Sequence, residues 1–371
     1  MPSDCDVFFK LHCTQTGHTV GECVLNAPKR LNALNFEMLK ALNGQLQLWI
    51  NDKKVVAIII RGAGERAFCA GGDVRALQKM VISAEKQSQQ RAEQLLAEEY
   101  RLDYRLHTCG KPVLCWGSGI VMGGGVGLLA ASSHGVVTES SQIAMPEISI
   151  GLFPDAGGSW FLGKMPARTG LFVGMSGVHM SASDALFAGL AHHVLDDEDF
   201  PRLLTAMLAL KWTHAHRDNH RLLSGLLTSM ASRLSSPSPS VLQDGAHTIS
   251  ELTCAAEPPQ ILAGLKTLKG VLWEQAVENM EYGCPLTAWL VIEQLHRARH
   301  LSLADMLRRE LTMAVHCLRG QNFVEGVRAL LVDRDNSPNW NPPTLTDVTP
   351  EQVEQHFSAL WTAAEHPLAD L

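Results

Sequence analysis

Two carboxylates that follow a glycine cluster are the residues of this chain with the clearest chemical potential. Glu147 and Asp155 lie in the segment AMPEISIGLFPDAGG, and Gly123, Gly124 and Gly125 precede them in the sequence. A carboxylate can attack a carbonyl carbon or transfer protons, while backbone N–H groups at a glycine-rich turn can stabilise an oxyanion. The combination indicates chemistry on a carbonyl group.

The residues around the two acids predict their environment. Pro146 forces an extended approach to Glu147, so this acid begins a loop rather than lying within a helix. Apolar residues, including Ile148 and Phe153, flank the acids and predict their burial, which raises the pKa of at least one carboxyl group. The alternative is that one acid caps a helix and the other is a solvated loop residue.

A second glycine-rich turn, Cys69 to Asp73, follows another predicted buried strand. Its N–H groups have no partner within a helix, although it could equally be a tight turn with Asp73 as the N-cap of the next helix. The glycine cluster at 122–127 could likewise serve close packing of a helix on a sheet. Two such turns together favour function, because an oxyanion site needs two amides that converge on one oxygen.

Other motifs indicate less. Gly62, Gly64 and Ala67 match the G-x-G-x-x-A dinucleotide pattern, but no helix and no suitably spaced acid follow, so we reject it. The histidines at 214, 216 and 220 lack companion ligands, which predicts surface positions and no metal site. No G-x-S-x-G elbow exists, since the spacing around Ser176 is wrong, and Cys69 is interpreted as a small core thiol.

The composition excludes several classes of protein. The 371 residues carry a formal net charge of −7, which argues against nucleic-acid binding as the main function. Nine cysteines without a C-x-x-C pair predict reduced thiols. No apolar run approaches the ~20 residues of a membrane span, and the N-terminus resembles no targeting segment, so we expect a cytoplasmic protein without membrane contact.

Strand and helix patterns alternate in the first half of the chain and predict an α/β fold with right-handed crossovers. The β-branched run at 55–62 predicts a buried strand, and the glycine cluster opens a helix at 124–131. A long polar segment, 74–107, is interpreted as helical. Helical patterns dominate after Gly158, which predicts a catalytic core at 1–190 and a helical region at 191–371 that covers it.

Four segments together resemble the crotonase (enoyl-CoA hydratase/isomerase) superfamily, and more closely its 3-hydroxyisobutyryl-CoA hydrolase branch: PKRLNALN, ERAFCAGGDVRAL, GIVMGGGVGL and AMPEISIGLFPDAGGSWFL. The similarity continues through SLADMLRREL, FVEGVRALLVDRD and SPNWNP, and so covers nearly the whole chain. The segment RREL departs from an aromatic-containing segment common in the branch. The resemblance implies the crotonase fold, a β-β-α superhelix of the ClpP/crotonase type with a mostly helical C-terminal region.

The resemblance also implies roles for individual residues. The backbone N–H groups of Ala70 and Gly124 would hold the thioester oxyanion, and Glu147 and Asp155 would be catalytic. Hydratases carry their first catalytic glutamate at the position of Gly127, and their second aligns with Glu147. The absence of the first glutamate here, together with an acid at 155, points to hydrolysis. Glu99 matches the glutamate that contacts the substrate in the hydrolase branch. The basic residues where the family contacts coenzyme A (CoA) are Lys29, Arg30 and Arg75.

The implied activity is hydrolysis of a short branched 3-hydroxyacyl-CoA thioester, with 3-hydroxyisobutyryl-CoA of valine degradation as the main candidate. Glu147 would form a mixed anhydride or act as a general base, with Asp155 moving protons. The only small-molecule partner implied is the acyl-CoA substrate, without a separate cofactor. The alternatives are an enoyl-CoA hydratase or isomerase and a non-catalytic binding protein of the same fold. Related folds form trimers and hexamers, so a homo-oligomer is left open.

Overall fold

The computed structural model describes residues 6–83, 85–231, 238–254 and 257–371. The strands are β1 (Val7–Cys13), β2 (Thr19–Leu25), β3 (Val55–Gly62), β4 (Ala67–Cys69), β5 (Val113–Gly117), β6 (Ile120–Met122), β7 (His134–Thr138), β8 (Gln142–Ala144) and β9 (His193–Leu195). They form a six-stranded sheet of order β1-β2-β3-β5-β7-β9 and a three-stranded sheet of order β4-β6-β8.

The helices of the first half are α1 (Phe36–Asn51), α2 (Val74–Ile82), α3 (Lys86–His107), α4 (Gly124–Ala131), α5 (Gly158–Leu162), α6 (Thr169–Ser176) and α7 (Ala182–Ala188). Those of the second half are α8 (Phe200–Ala209), α9 (His216–Ala231), α10 (Val241–Thr253), α11 (Pro258–Leu265), α12 (Val271–Tyr282), α13 (Pro285–Ala298), α14 (Leu303–Arg319), α15 (Gln321–Val327) and α16 (Pro350–Gln355).

The two sheets are built from a repeated strand pair. The first strands of successive pairs, β3, β5 and β7, are parallel neighbours in the large sheet, and the second strands, β4, β6 and β8, form the small sheet. A helix follows each of the first two pairs. The β-branched run of β3 is buried along Val55–Ile60, as its uninterrupted apolar sequence predicts. A glycine-rich turn follows each of the first two pairs, with Gly71 and Gly72 after β4 and the glycines at 123–125 after β6.

Local sequence explains the start of α1. The side chain of Asn35 accepts a hydrogen bond from the N–H of Met38, which is the expected N-cap geometry. One face of the helix is buried, as its periodic apolar residues predict. That face comprises Met38, Leu39, Leu42, Leu46 and Trp49, together with Asn43.

The chain forms two compact units, each discontinuous in sequence. Unit 1 comprises Met1–Gly72, Arg101–Ile143 and Met180–Ser240, and unit 2 comprises Asp73–Tyr100, Ala144–His179 and Val241–Leu371. These units do not follow the predicted boundary at residue 190. The strand β9 and the helices α8 and α9 lie beyond residue 190 and belong to unit 1, because they extend its sheet and core.

Most predicted elements occur with small shifts at their ends. The segment 74–107, predicted as one helical stretch, contains two helices, because α2 ends at Ser83, whose backbone is extended. The sequence SSPSPS at 235–240 predicts an irregular loop, of which residues 235–237 lie outside the described residues. Among the helices of the described residues, none is long and apolar enough to cross a membrane.

Candidate active site

Unit 2 contains a cluster of buried acidic side chains. Glu147 opens a short 3-10 turn, Glu147–Ile150, directly after Pro146, where the sequence predicts the start of a loop. Asp155 lies in the loop before α5, and Glu99 lies on α3. All three carboxyl groups are almost completely buried, at 5%, 6% and 5% exposure for Glu147, Asp155 and Glu99. The structure therefore brings together the three acids that the sequence singled out.

Two further residues belong to this cluster, and the sequence did not indicate either of them. The hydroxyl of Tyr100, next to Glu99 on α3, donates a hydrogen bond of 2.5 Å to Oδ2 of Asp155. Glu310 of α14 is fully buried and close enough to Asp155 for the two charges to interact. Both occupy positions that look like ordinary core-facing positions of long helices.

The protonation of these groups differs because their surroundings differ. Burial raises the pKa of Asp155 and the hydrogen bond from Tyr100 lowers it in part, so that the resulting pKa is about 6. Burial and the nearby charge of Asp155 raise the pKa of Glu99 to about 8 and that of Glu147 well above its usual range. Asp155 therefore ionises before Glu99 as the pH rises, and the raised pKa of Glu147 favours its protonated form.

The loop that carries Asp155 is held by α13 and α14. The carboxylate of Glu310 accepts hydrogen bonds from the N–H groups of Gly157 (2.8 Å) and Ser159 (2.7 Å). The side-chain amide of Gln294 donates to the carbonyl of Pro154, 2.6 Å away. These contacts explain how the loop keeps its left-handed backbone at Ala156, where φ is 51°.

The two predicted glycine-rich turns are in contact within unit 1. Gly71, with φ +89°, leaves so little space that an added Cβ would lie 3.0 Å from the carbonyl oxygen of Met122 and 3.2 Å from the nitrogen of Gly124. A Cβ on Gly125 would lie only 2.3 Å from the carbonyl oxygen of Cys69. Glycine is thus required on both turns so that their backbones can pack directly.

The free N–H groups of these turns differ in part from those that the resemblance implies. The N–H of Ala70 already donates to the carbonyl of Leu31 at 3.0 Å, so it is not a free donor. The N–H of Gly71 is directed to Sγ of Cys69. No acceptor among the described residues receives the N–H of Gly72 or of Gly124. Of the two predicted donors, the N–H of Gly124 has no acceptor in the described residues, whereas that of Ala70 is bonded to Leu31. The N–H of Gly72 is the neighbouring group that is available as a second donor.

The basic residues predicted to bind CoA have different surroundings. Arg30 forms an ion pair with Asp6 at 2.6 Å, and Lys29 is exposed on the same 3-10 turn in unit 1. Arg75 donates to the carbonyl of Leu331 at 2.6 Å within unit 2. These contacts leave CoA binding by the three residues as a prediction.

Other motifs have structural roles. Asp73 caps α2, since its side chain accepts from the N–H of Ala76. Ser176 donates to the carbonyl of Phe172 within α6, and Cys69 is fully buried. In the described ranges, no group of three or more His, Cys, Asp or Glu residues could hold a metal ion.

Asn32 lies in the segment PKRLNALN, and the sequence alone indicates no role of its own for it. It is fully buried, and its side-chain amide donates to the carbonyl oxygens of Ala63 (3.0 Å) and Ala67 (2.8 Å). Its side-chain oxygen accepts from the N–H of Ala27. Asn32 therefore joins the loop after β2 to both ends of the segment that leads into β4 and the first glycine-rich turn.

Comparison with known proteins places these features in a family. The model of the family described as enoyl-CoA hydratase/isomerase matches residues 20–357. The chain is 36% identical over 342 residues to the protein of Gallus gallus named 3-hydroxyisobutyryl-CoA hydrolase, mitochondrial, covering 92% of this chain and 86% of that protein. It is 35% identical over 340 residues to the Homo sapiens protein of the same name, with the same coverage.

Solved structures confirm the predicted crotonase-like fold. A carnitinyl-CoA dehydratase from Mycobacterium thermoresistibile superimposes with a TM-score of 0.84 at 32% identity, covering 96% of this chain and 97% of that one. An enoyl-CoA hydratase from Rhodobacter sphaeroides gives a TM-score of 0.82 at 30% identity, covering 96% and 98%. The chain belongs to the enoyl-CoA hydratase/isomerase family.

Proposed function

We propose that this protein hydrolyses a short branched 3-hydroxyacyl-CoA thioester, with 3-hydroxyisobutyryl-CoA as the preferred substrate and 3-hydroxyisobutyrate and CoA as products. The observation that carries the proposal is the burial of Glu147 and Asp155 in one electrostatically coupled cluster, while Gly127 lacks any side chain. Hydration in this family uses two glutamates, one at each of the positions of Gly127 and Glu147. The names of the Gallus gallus and Homo sapiens relatives support hydrolysis.

The reaction needs a group that accepts a proton and a group that attacks. Asp155, with a pKa of about 6, is ionised at neutral pH and can accept a proton. Burial and the charge of Asp155 raise the pKa of Glu147 and so favour its protonated form, and a protonated carboxyl group must lose its proton before it can act as a nucleophile or a base. Transfer of this proton from Glu147 towards Asp155 leaves a carboxylate on Glu147 without changing the total charge of the cluster.

Two routes then lead to the products. In the first, the carboxylate of Glu147 attacks the thioester carbon, the C–S bond breaks, the CoA thiolate takes a proton, and water hydrolyses the resulting anhydride. In the second, Glu147 removes a proton from water, which attacks directly. In both, the amides of Gly72 and Gly124 stabilise the oxyanion, and loss of one such donor typically costs about 3 kcal/mol of barrier reduction.

Substrate recognition is assigned to Glu99 and to the basic residues. A protonated Glu99, with a pKa of about 8, can donate a hydrogen bond to the 3-hydroxyl group of the acyl chain and also accept one. Lys29, Arg30 and Arg75 are proposed to contact the phosphates of CoA. No cofactor other than the CoA of the substrate is proposed.

Release of free CoA thiol from a series of short acyl-CoA esters tests the proposal. We expect the highest kcat/KM for 3-hydroxyisobutyryl-CoA. Glu147→Gln should lower kcat at least about 100-fold, the usual size of a general acid–base contribution. Glu139→Gln, at an exposed position of unit 1, is the matched control. Equal rates for the wild type and Glu147→Gln would refute the assignment of Glu147.

A single turnover in oxygen-18 water separates the two routes. The anhydride route places label in the side chain of Glu147 when water attacks its carbonyl carbon, whereas the general-base route does not. Mass spectrometry of the peptide that contains Glu147 reads the result. Unlabelled Glu147 after demonstrated turnover would exclude an anhydride that water opens at the carbonyl carbon of Glu147.

A hydratase is the second candidate, because the two similar structures described above are a carnitinyl-CoA dehydratase and an enoyl-CoA hydratase. In that case Asp155 would serve as the second acid. Hydration of a matching enoyl-CoA ester, measured beside thiol release, distinguishes the two. Faster hydration than thiol release would favour the hydratase.

Location and assembly are separate proposals. The sequence predicts a cytoplasmic location, and this location is the one we propose. The Gallus gallus and Homo sapiens relatives are named mitochondrial, so a mitochondrial location is the alternative. Imaging of a fluorescent fusion in the source cells tests it. A homo-oligomer is tested by light scattering of the purified protein, and a mass equal to one chain would exclude it.

A further inference from the structure

We propose that Tyr100 is a positioning residue for the proposed reaction: its hydroxyl fixes the carboxylate of Asp155 and keeps it available as the proton acceptor of the cluster. This inference rests on the proposed function only for its catalytic consequence. The contact itself is a property of unit 2, which contains both residues.

The geometry of the contact identifies the donor and the acceptor. A tyrosine hydroxyl has one hydrogen to donate, and the separation of 2.5 Å between Oη of Tyr100 and Oδ2 of Asp155 is typical of an O–H group that donates to an ionised oxygen. Tyr100 is completely buried, so water does not compete for its hydroxyl. Burial and the nearby negative charges raise the pKa of Tyr100 above its usual range, so it remains a donor.

The groups that face Asp155 explain why a donor is needed there. Glu99 of α3, Glu147, and Glu310 and Cys317 of α14 all interact electrostatically with Asp155. None of these groups carries a positive charge, and each would oppose ionisation of Asp155 if it became charged. Tyr100 is the side chain that donates a hydrogen bond to Asp155 in the described part of unit 2.

Tyr100 and Glu99 are neighbours on α3, so one turn of this helix carries both the partner of Asp155 and the proposed substrate contact. A change in the position of this turn of α3 would move the substrate contact and the partner of Asp155 together. Tyr100 thus acts on catalysis through Asp155, without touching the substrate in this proposal.

The variant Tyr100→Phe keeps the ring and removes the hydroxyl, and Tyr282→Phe, at an exposed position of the same unit, is the matched control. Carboxyl carbon NMR of protein labelled at aspartate, assigned with Asp155→Asn, gives the pKa of Asp155 without substrate. We expect Tyr100→Phe to raise this pKa by about one unit, to lower kcat about tenfold at neutral pH, and to change KM less than twofold.

An unchanged pKa of Asp155 in Tyr100→Phe, or an equal change in Tyr282→Phe, would overturn the inference. If Tyr100→Phe does not fold, fluorotyrosine incorporated into a Tyr104→Phe/Tyr282→Phe variant places the analogue at position 100 alone, because the chain has three tyrosines. Its more acidic hydroxyl should lower the pKa of Asp155, and no change would also refute the inference. Failure of the proposed hydrolysis would show as absent thiol release, while the titration of Asp155 would still decide the role of Tyr100.

Discussion

Asp155 and Glu310 show that hydrogen bonds offset only part of the rise in pKa that burial causes in a carboxyl group. Burial raises the pKa of both, but Glu310 reaches about 7 even though it accepts from the N–H groups of Gly157 and Ser159. Asp155 stays near 6. The tyrosine hydroxyl on Asp155 and the two amides on Glu310 therefore offset only part of the desolvation cost. Asp155 ionises first in part because the ordinary pKa of an aspartate is lower than that of a glutamate.

Replacing Glu310 tests whether the loop after Asp155 must be fixed for catalysis. In Glu310→Gln, the side-chain nitrogen cannot accept a hydrogen bond, so one of the two amides loses its partner. We expect the free energy of unfolding to fall by about 2 kcal/mol because a buried donor is left unpaired. We expect kcat to fall about tenfold because a small misplacement of a catalytic group is costly.

Denaturant unfolding and thiol-release kinetics measure the two effects. Glu278→Gln, on the exposed face of α12, should change neither. A Glu310→Gln protein with wild-type stability and kcat would show that the clamp on the loop has no role.

At the scale of elements, strongly patterned segments were predicted well. The bounds of β3 and α4 match the predicted 55–62 and 124–131, because an uninterrupted β-branched run and a glycine-opened helix are local signals. The partners of Asp155 were not predictable, because Tyr100 and Glu310 meet it only through the tertiary fold. The same reason explains why Ala70 was predicted as a free donor. The sequence does not show that the N–H of Ala70 already donates to the carbonyl of Leu31.

Asn32 offers a test of how the first glycine-rich turn is supported. Asn32→Ala removes both donors and the acceptor of its side chain and leaves buried backbone groups of Ala27, Ala63 and Ala67 without these partners. We expect a loss of about 3 kcal/mol in the free energy of unfolding, since each unpaired buried group costs about 1–3 kcal/mol and the loop relaxes in part.

The matched control is Asn35→Ala, which removes the N-cap of α1 and a part-buried hydrogen bond to Asp6 and should cost about 1 kcal/mol. Thermal and urea unfolding of both variants supply the comparison. If Asn32→Ala were no more destabilising than Asn35→Ala, the junction around Asn32 would not be a main support of β4.

At the scale of the whole molecule, the two units contain buried titratable groups of opposite kind. Unit 1 contains His134, which is 4% exposed, stacks on the ring of His220 and lies 3.0 Å from the hydroxyl of Ser224. Burial and the neighbouring histidines lower its pKa to about 4. Unit 2 contains the carboxyl cluster, whose pKa values are raised.

These shifts predict opposite responses to pH. A histidine whose pKa is lowered by folding stabilises the native state above pH ~6.5, and this stability is lost as the pH falls towards 4. At pH 5, a shift of this size for His134 corresponds to a loss of about 2 kcal/mol, since one pKa unit equals ~1.4 kcal/mol. A carboxyl group whose pKa is raised stabilises the native state below its unfolded pKa and destabilises it as the pH rises towards 8.

Hydrogen exchange followed by mass spectrometry, corrected for intrinsic exchange rates, can observe both units in one sample. Between pH 7.5 and 5, amides in β7 and α9 should lose protection, whereas amides of the segment 147–159 should gain it. His134→Gln should reduce the pH dependence of amide protection in β7 and α9 alone. Glu310→Gln should reduce the pH dependence of amide protection in the segment 147–159 alone. Parallel changes of both regions with pH would contradict this assignment, because a single titrating group or global unfolding would then control the stability of the whole chain.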